Sequence, residues 1–550
     1  MRYLAVRLKK FRASFGRQEN VALLGPFVVM SAALFGVVLL GGCRGQSASA
    51  PADTLIYGRG EDAQSLDPIA TDIGESVKVI VNLYDTLVAY DDETLDLVPS
   101  LAERWEHSDD GLTWTFHLRP DVLFHDGTPF NAEAVVFTFR RLIDEQPEFA
   151  YTQARPYKPN FSNIADVEAI DERTVQFQLR EPSAVFLKNI AMFPASIVSP
   201  TAVKQHQEAF GANPVGTGPF RFARWLRDEQ LVLEAFDEHW RGKPDLARAI
   251  FVPVSESATR VSQLKRGEIH IADNLPPAEL DALAKTPGIV LQEQTGLNVA
   301  YLTMQTEKPP LDNTKVRQAI AHAIDKPRLV DVAYAGHARP AVNMVPPAMW
   351  GHHNELKDRP YDVAQAKQLL EEASAEAGFA LPLSLTLSVM SQPRPYMQEP
   401  LQTASFIKDA LAAIGIDVEI QTKPVNQHFD HLMSGGHELG LAGWSSDNND
   451  PDNFLYSLLD SDNIGEHGNN LSRYNNPEVH RLLLAAQSEL DDAARLKMYL
   501  QAQELIFADA PVVPLVHTQV RIAQRDVLKG YLLHPSNLVR LRLARIEAAP

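Results

Sequence analysis

The chain of 550 residues has one cysteine, Cys43. An internal structural disulfide is therefore impossible, and thiol chemistry is excluded from everything beyond that residue. Positive charge is also short: 51 Lys and Arg stand against 70 Asp and Glu, a net −19. Nucleic acid is not an expected partner, because a phosphate backbone asks for a basic surface. No Gly-x4-Gly-Lys-Ser/Thr loop, no Gly-x-Ser-x-Gly elbow and no His-Glu-x-x-His pair occurs. Asp447 to Asn453 looks superficially like a calcium loop, but the sixth place is Asp452 instead of glycine, and the twelfth is Leu458 instead of a bidentate Glu. His352-His353 and His428-x-x-His431 read as ordinary polar residues, since adjacent histidines such as the first pair point apart and exposed histidine pairs are common. Neither a metal nor a cofactor is expected. With no nucleophile, base and orienter in evidence, a binding protein is favoured over an enzyme.

What is present begins with an atypical leader. Arg2, Arg7, Lys9, Lys10, Arg12 and Arg17 against Glu19 make residues 1–42 +5, so the remainder carries −24 where the whole carries −19. An apolar run from Val21 to Leu40 follows, interrupted by Gly25-Pro26 and Gly36. A basic segment, an apolar segment and small residues make a secretory signal; an uncleaved membrane helix is the alternative. Leu40-Gly41-Gly42-Cys43 resembles the bacterial lipobox, in which the cysteine is lipidated and becomes the first mature residue. We therefore expect a signal peptide over 1–42, a lipid anchor on Cys43, and a small, polar, flexible tether over 43–53.

The mature chain is too long for one core, so two lobes or more are expected. Thr54–Tyr57 reads as a first strand, Val77–Val88 as a helix, and Thr113–Leu118 and Arg173–Leu179 as alternating strands with one wet face. Asn131 caps a helix carrying Val135, Val136, Phe139, Leu142 and Ile143. A second region begins near Gly296, with a strand at Val299–Thr303 and helices capped by Asp312-Asn313 and Asp362, the latter ended by Gly378. Leu383–Val389 alternates. Leu401, Ala404, Ile407, Leu411 and Ile414 form a helical stripe closed by Gly415, and Ile416, Val418 and Ile420 alternate again. Strand, helix, strand in series predicts an α/β fold with a parallel or mixed sheet. Helical spacing returns over Glu478–Leu490 and Ala493–Phe507, before a short buried strand, Pro511–Val516.

One stretch concentrates chemistry: Gly443-Trp-Ser-Ser-Asp-Asn-Asn-Asp-Pro-Asp-Asn-Phe454, a loop after a short strand over Glu438–Ala442. Binding residues gather on loops set on rigid scaffolds. A buried carboxylate there needs a positive partner, and where the protein supplies none, a ligand ammonium can.

Ordered segments along nearly the whole mature chain match a known family: Leu97-Val-Pro-Ser-Leu-Ala-Glu-Arg-Trp105, Gly111-Leu-Thr-Trp-Thr-Phe-His-Leu-Arg119, Phe124-His-Asp-Gly-Thr-Pro-Phe-Asn131, Asn213-Pro-Val-Gly-Thr-Gly-Pro-Phe220, Pro346-Pro-Ala-Met-Trp-Gly351, Arg394-Pro-Tyr396 and the loop above. On these the chain resembles the family 5 solute-binding proteins of bacterial peptide-importing ABC transporters, most of all their dipeptide-binding branch. The resemblance implies a two-lobed periplasmic-binding-protein-like α/β fold (type II, cluster C), with a hinge of two crossing segments near Gly296 and Pro511. Lobe I would be residues 54–296 plus 511–550, lobe II residues 297–510, with ligand in the cleft between them. It implies that Asp447 holds the ligand ammonium and Arg394 the ligand carboxylate, that Tyr396 and Trp444 wall the site, and that backbone near Gly443 and Trp444 pairs with the ligand main chain. It implies a short peptide as ligand, permease and ATPase subunits as partners, and a periplasmic or cell-surface location. Other cargo (longer peptides, haem, glutathione, a nickel chelate) is the alternative within the family; a secreted hydrolase or chaperone is the alternative outside it. The branch commonly has disulfides, which this chain lacks, and Pro393 adds a proline beside Arg394.

Overall fold

The computed structural model describes residues 53–91, 94–144, 155–465 and 468–547. The expected leader, the Cys43 anchor and all but the last residue of the tether lie outside the described residues. Among those described, no helix is long and apolar enough to cross a membrane.

A mixed sheet of twelve strands is the backbone of the molecule. At one end Leu383–Met390 runs parallel to both Ile416–Lys423 and Leu439–Ser445. Leu439–Ser445 then pairs antiparallel with Asn298–Met304, all seven of whose residues are buried. At the other end Thr54–Arg59 runs parallel to Arg248–Pro253, and Gln230–Ala235 and Phe220–Leu226 follow antiparallel. The helices Thr314–Ala323, Val363–Ala377 and Pro400–Ala412 cover the first end, where a core including Leu302, Ile320, Leu370, Leu387, Ile407 and Val418 is sealed. A separate core with Tyr57, Leu83, Phe220 and Phe251 lies at the second.

Local chemistry explains the helix ends. Asn131, Asn313 and Asp362 each accept from the first-turn N–H groups of the helix they precede. Gly378 ends its helix at φ +73°, where a side chain would be strained.

The two ends meet at one strand. Val512–Arg525 runs fourteen residues. Its first part pairs with Asn298–Met304 and its second, in register Thr295↔Gln519 to Ile289↔Arg525, with Ile289–Thr295. The short strand expected at Pro511–Val516 is thus only its beginning. The polar residues His517, Thr518, Gln519 and Arg521 hid the rest, because His517 and Thr518 are buried by hydrogen bonds to Asn298 instead of by apolar contact. Asn298 Oδ1 accepts from both the N–H and the hydroxyl of Thr518 at 2.9 Å, and His517 Nδ1 lies 2.7 Å from Asn298 O.

Three further expectations are corrected. The helix expected to reach Val88 is Gly74–Leu83; the chain turns extended at Tyr84, which lets Val88 pair with Pro99. Leu401 and Leu490 are 51% and 41% exposed: the buried stripe that was to start at Leu401 starts after it, and the helix that was to reach Leu490 ends at Ser488. The first half also holds a body of its own: an antiparallel four-stranded sheet in the order Ala102–His107, Thr113–Leu118, Thr174–Leu179, Ile164–Asp171, packed under Ala132–Ile143. Its core of Phe116, Phe139, Phe177 and Phe186 is a cluster of aromatic edges and faces.

Candidate functional site

Gly443 and Trp444 belong to the strand Leu439–Ser445, not to a loop, with Gly443 opposite Ala300 and Trp444 opposite Val299. Their strand bonding to Asn298–Met304 was invisible in sequence because Gly-Trp-Ser breaks the apolar pattern. The loop proper is Ser446–Asp450, and Pro451 caps the helix Asp452–Leu459.

Asn453 closes this loop. Its Oδ1 accepts from Trp444 Nε1 at 2.9 Å and from the Asp447 N–H at 3.0 Å. Asp450, fully buried, braces it from beneath: it accepts from Arg495 at 2.6 and 2.8 Å, from Lys188 at 2.7 Å and from the Asp452 N–H at 3.0 Å. Burial alone would raise the Asp450 carboxyl; Lys188 and Arg495 more than offset this and hold it below the ordinary carboxylate range. Residues of the first half complete the clamp. Tyr90 donates to Asn448 O at 2.6 Å, and Asn448 Nδ2 donates to Asn189 Oδ1 at 2.9 Å.

Asp447 differs from Asp450 in every respect that matters. Its Oδ1 accepts from the Tyr157 hydroxyl at 3.2 Å, and no cationic side chain bonds it among the described residues. Burial pushes its carboxyl up to about 7; the Tyr157 and Asn453 hydrogen bonds oppose the rise and nearby Asp72 adds to it.

Arg394 opens a four-residue turn in which it and Met397 exchange both backbone hydrogen bonds at 2.9 Å. Pro395 O accepts from the Thr518 hydroxyl at 3.0 Å, so the turn is pinned to the long strand at the junction of the two ends. Tyr396 is buried and its ring lies against Gly443, where only a glycine leaves room for it. Burial pushes the Tyr396 phenol up, opposed by the neighbouring Arg394 guanidinium. Among the described residues no carboxylate pairs with Arg394.

All five expected site residues, Asp447, Arg394, Tyr396, Trp444 and Gly443, line one cavity of about 1120 Å³. Its walls come from both halves of the chain and from the C-terminal segment. Tyr157 and Asp72 line it too and were missed. Arg155-Pro-Tyr157 repeats the triplet Arg394-Pro-Tyr396, but Arg359-Pro-Tyr361 does as well and Tyr361 is exposed, so the triplet is no marker.

The histidine pairs are structural. His428, fully buried and not exposed, bonds Ser388 and Leu441 O; His353 bonds Glu504, and His352 bonds Val345 O. Asp460, Asp462 and His480 stand close enough for a metal, but His480 already pairs with Asp460 at 3.0 Å.

The family model described as "Bacterial extracellular solute-binding proteins, family 5 Middle" matches residues 96–466. The dipeptide-binding protein of Escherichia coli K12 is 33% identical over 508 residues, 89% of this chain and 94% of that one. Heme-binding protein A of Haemophilus influenzae is 35% identical over 470 residues, 82% and 85% of the two chains. Among solved structures, the periplasmic binding protein DppA of Helicobacter pylori, in complex with the peptide STSA, superposes with a TM-score of 0.81 at 33% identity, covering 90% of this chain and 98% of that one. The chain belongs to the bacterial extracellular solute-binding proteins of family 5, two-lobed α/β periplasmic binding proteins that serve ABC transporters as substrate-binding components and not as enzymes.

Proposed function

We propose that this protein captures short peptides, dipeptides above all, in the cleft between two lobes and delivers them to a membrane permease driven by separate ATPase subunits. Asp447 receives the ligand ammonium and Arg394 its carboxylate. Tyr396 and Trp444 wall the site, and the backbone at Gly443 offers hydrogen bonds to the ligand main chain. The observation that carries this reading is complementary vacancy: among the described residues, a carboxylate without a cationic partner and a guanidinium without an anionic one line the same cavity. A dipeptide is a zwitterion whose ends lie roughly 7 Å apart. In a closed, dry cleft each of its charges needs an opposite charge.

The lobes divide as residues 54–296 plus 511–550 and 297–510, joined by a hinge that closes over ligand. The hydrogen bonds of Gly296 and Asn298 with Thr518 support a junction there. Cys43 carries a lipid anchor that holds the protein at the membrane after the leader is removed.

Calorimetry with Ala-Ala, free alanine and end-blocked Ala-Ala tests the cargo: the free dipeptide binds and the others are much weaker. Equal binding of the blocked form refutes the site. A second cargo class has its own support, since one relative is named for haem and another was solved with a four-residue peptide. Mass spectrometry of ligand co-purifying with the protein separates these. An intact mass starting at Met1 would refute the anchor.

A further inference from the structure

The loop that carries Asp447 is held from two directions, and the two differ in kind. Within the second half, Asp450 keeps Arg495 in a pair closed to water, with the Arg495 side chain 2% exposed. From the first half comes Lys188, on the short helix Phe186–Ile190. Its Nζ lies 2.7 Å from Asp450 Oδ2 and 3.4 Å from Asn449 O. Beside it Asn189 accepts from Asn448, and Tyr90, at the end of the strand Val88–Tyr90, donates to Asn448 O. With Tyr157 on Asp447, four consecutive loop residues are each bonded by the first half. Lys188 is not among the residues that line the cavity.

This row can part without stranding a buried charge. Asp450 retains both Arg495 bonds, so it does not need Lys188 to stay paired. Lys188 is 23% exposed while bonded, and its ammonium returns to water when the contact opens. The Tyr90 hydroxyl has Lys188 O within reach at 3.1 Å, and Asn189 stays bonded to Asn160 O at 2.9 Å, both within the first half. The loop also holds its own shape: Ser446 Oγ accepts from the Asn449 N–H at 2.9 Å, and Asn448 Oδ1 from the Asp450 N–H at 3.2 Å. A buried pair with a single partner is costly to break, because a charge is left unpaired. A carboxylate with one permanent and one removable cation escapes that cost, which is what a contact made and broken repeatedly requires.

We propose that Lys188 is a positioning residue: with Asn189 and Tyr90 it forms a latch that clasps Asn448, Asn449 and Asp450 as the cleft closes, and it sets how long bound ligand stays. The inference rests on the hinged, two-lobed peptide reading and deepens it. The latch touches neither end of the ligand; it acts through the loop, by keeping Asp447 against the cavity. Closure is then favoured by contacts that every ligand shares, so the latch lengthens residence whatever side chains the ligand carries.

The test is stopped-flow kinetics with Ala-Ala on wild type, Lys188→Gln and Lys188→Arg, with melting curves of the ligand-free proteins beside it. Ligand enters while the lobes are apart and leaves only after they part again, so a latch acts on dissociation. Dissociation from Lys188→Gln should be faster by at least about tenfold, the size of one charge-assisted contact. Association should be no slower than in wild type. Lys188→Arg, which keeps the charge, should restore most of the slow dissociation. A merely structural lysine would instead lower the melting temperature with dissociation unchanged, or slow association. Either result overturns the latch and leaves the peptide reading intact, as does fast dissociation that Lys188→Arg fails to slow. If Ala-Ala binds to none of the three, the peptide reading fails. The latch then stands only if X-ray scattering of the ligand-free proteins gives a larger radius of gyration for Lys188→Gln than for wild type and Lys188→Arg, and falls otherwise.

Discussion

The ring of Tyr396 rests on the backbone of Gly443: a methyl group at Gly443 would overlap the ring at Cδ2. This contact joins the two expected ligand grips, because Tyr396 shares a four-residue turn with Arg394 and Gly443 lies four residues before Asp447. Gly443→Ala must push Tyr396 outward and Arg394 with it. We expect peptide affinity to fall by about 10²-fold, as a displacement of order 1 Å does at a positioned group. Stability should fall by about 1–3 kcal/mol from overpacking. Calorimetry and urea unfolding of the one variant read both. Unchanged affinity would show that the turn is not part of the site.

Ligand binding should release a proton. The Asp447 carboxyl titrates near 7 in the ligand-free cleft because burial disfavours its charge, and an incoming ammonium requires the ionised form. Affinity therefore rises with pH up to about 7, by at most tenfold per unit, and levels off above it. Titrations at pH 6 in buffers of different ionisation enthalpy should report close to one proton released. Asp447→Asn should release none. Proton uptake, or a flat affinity between pH 5.5 and pH 7, would contradict the assignment.

The acids beneath the loop act on stability, with opposite signs. Asp452 is pushed up to about 7, first by burial and then by Asp450, while Gln487 opposes. A raised carboxyl stabilises the fold when protonated, so its contribution is present below the ordinary carboxylate range and is lost as pH rises towards 7. Asp450 is depressed, so its contribution is present at neutral pH and lost only in acid. Asp452→Asn should flatten the fall in melting temperature between pH 4 and pH 7. Asp450→Asn leaves Arg495 buried without its partner and should cost about 3–5 kcal/mol at pH 7. Denaturant unfolding of both variants across pH checks these signs.

Much of this arrangement was legible from local chemistry. The caps at Asn131, Asn313 and Asp362 and the stop at Gly378 are short-range interactions written in adjacent residues. The grouping of Asp447, Arg394 and Tyr396 in one cavity was expected only through the family resemblance, since they lie some fifty residues apart in sequence. What stayed hidden depends on partners distant in the chain. Tyr157 reaches Asp447 across 290 residues. Gly443 and Trp444 are strand residues only because Asn298–Met304 pairs with them. The continuation of Val512–Arg525 past His517 is held by Asn298, and no periodicity within the strand announces it.

Asn453 is the least conspicuous of the site's supports. Asn453→Ala would remove the shared acceptor of Trp444 and of the Asp447 backbone. We expect a loss of about 1–3 kcal/mol in stability, from leaving these donors unpaired, and a weaker grip on ligand. Asn453→Asp should restore the acceptor in part. Melting curves of the pair, with and without Ala-Ala, distinguish a loop support from a bystander.

The central claim, that Asp447 and Arg394 hold opposite ends of one small zwitterion, is tested most directly by calorimetry of wild type, Asp447→Asn and Arg394→Gln against Ala-Ala, N-acetyl-Ala-Ala and Ala-Ala-amide. Acetylation should weaken binding to wild type and to Arg394→Gln but make little difference in Asp447→Asn; amidation should do the reverse. If blocking either end costs the same in all three proteins, the two side chains do not grip the two ends and the claim is wrong.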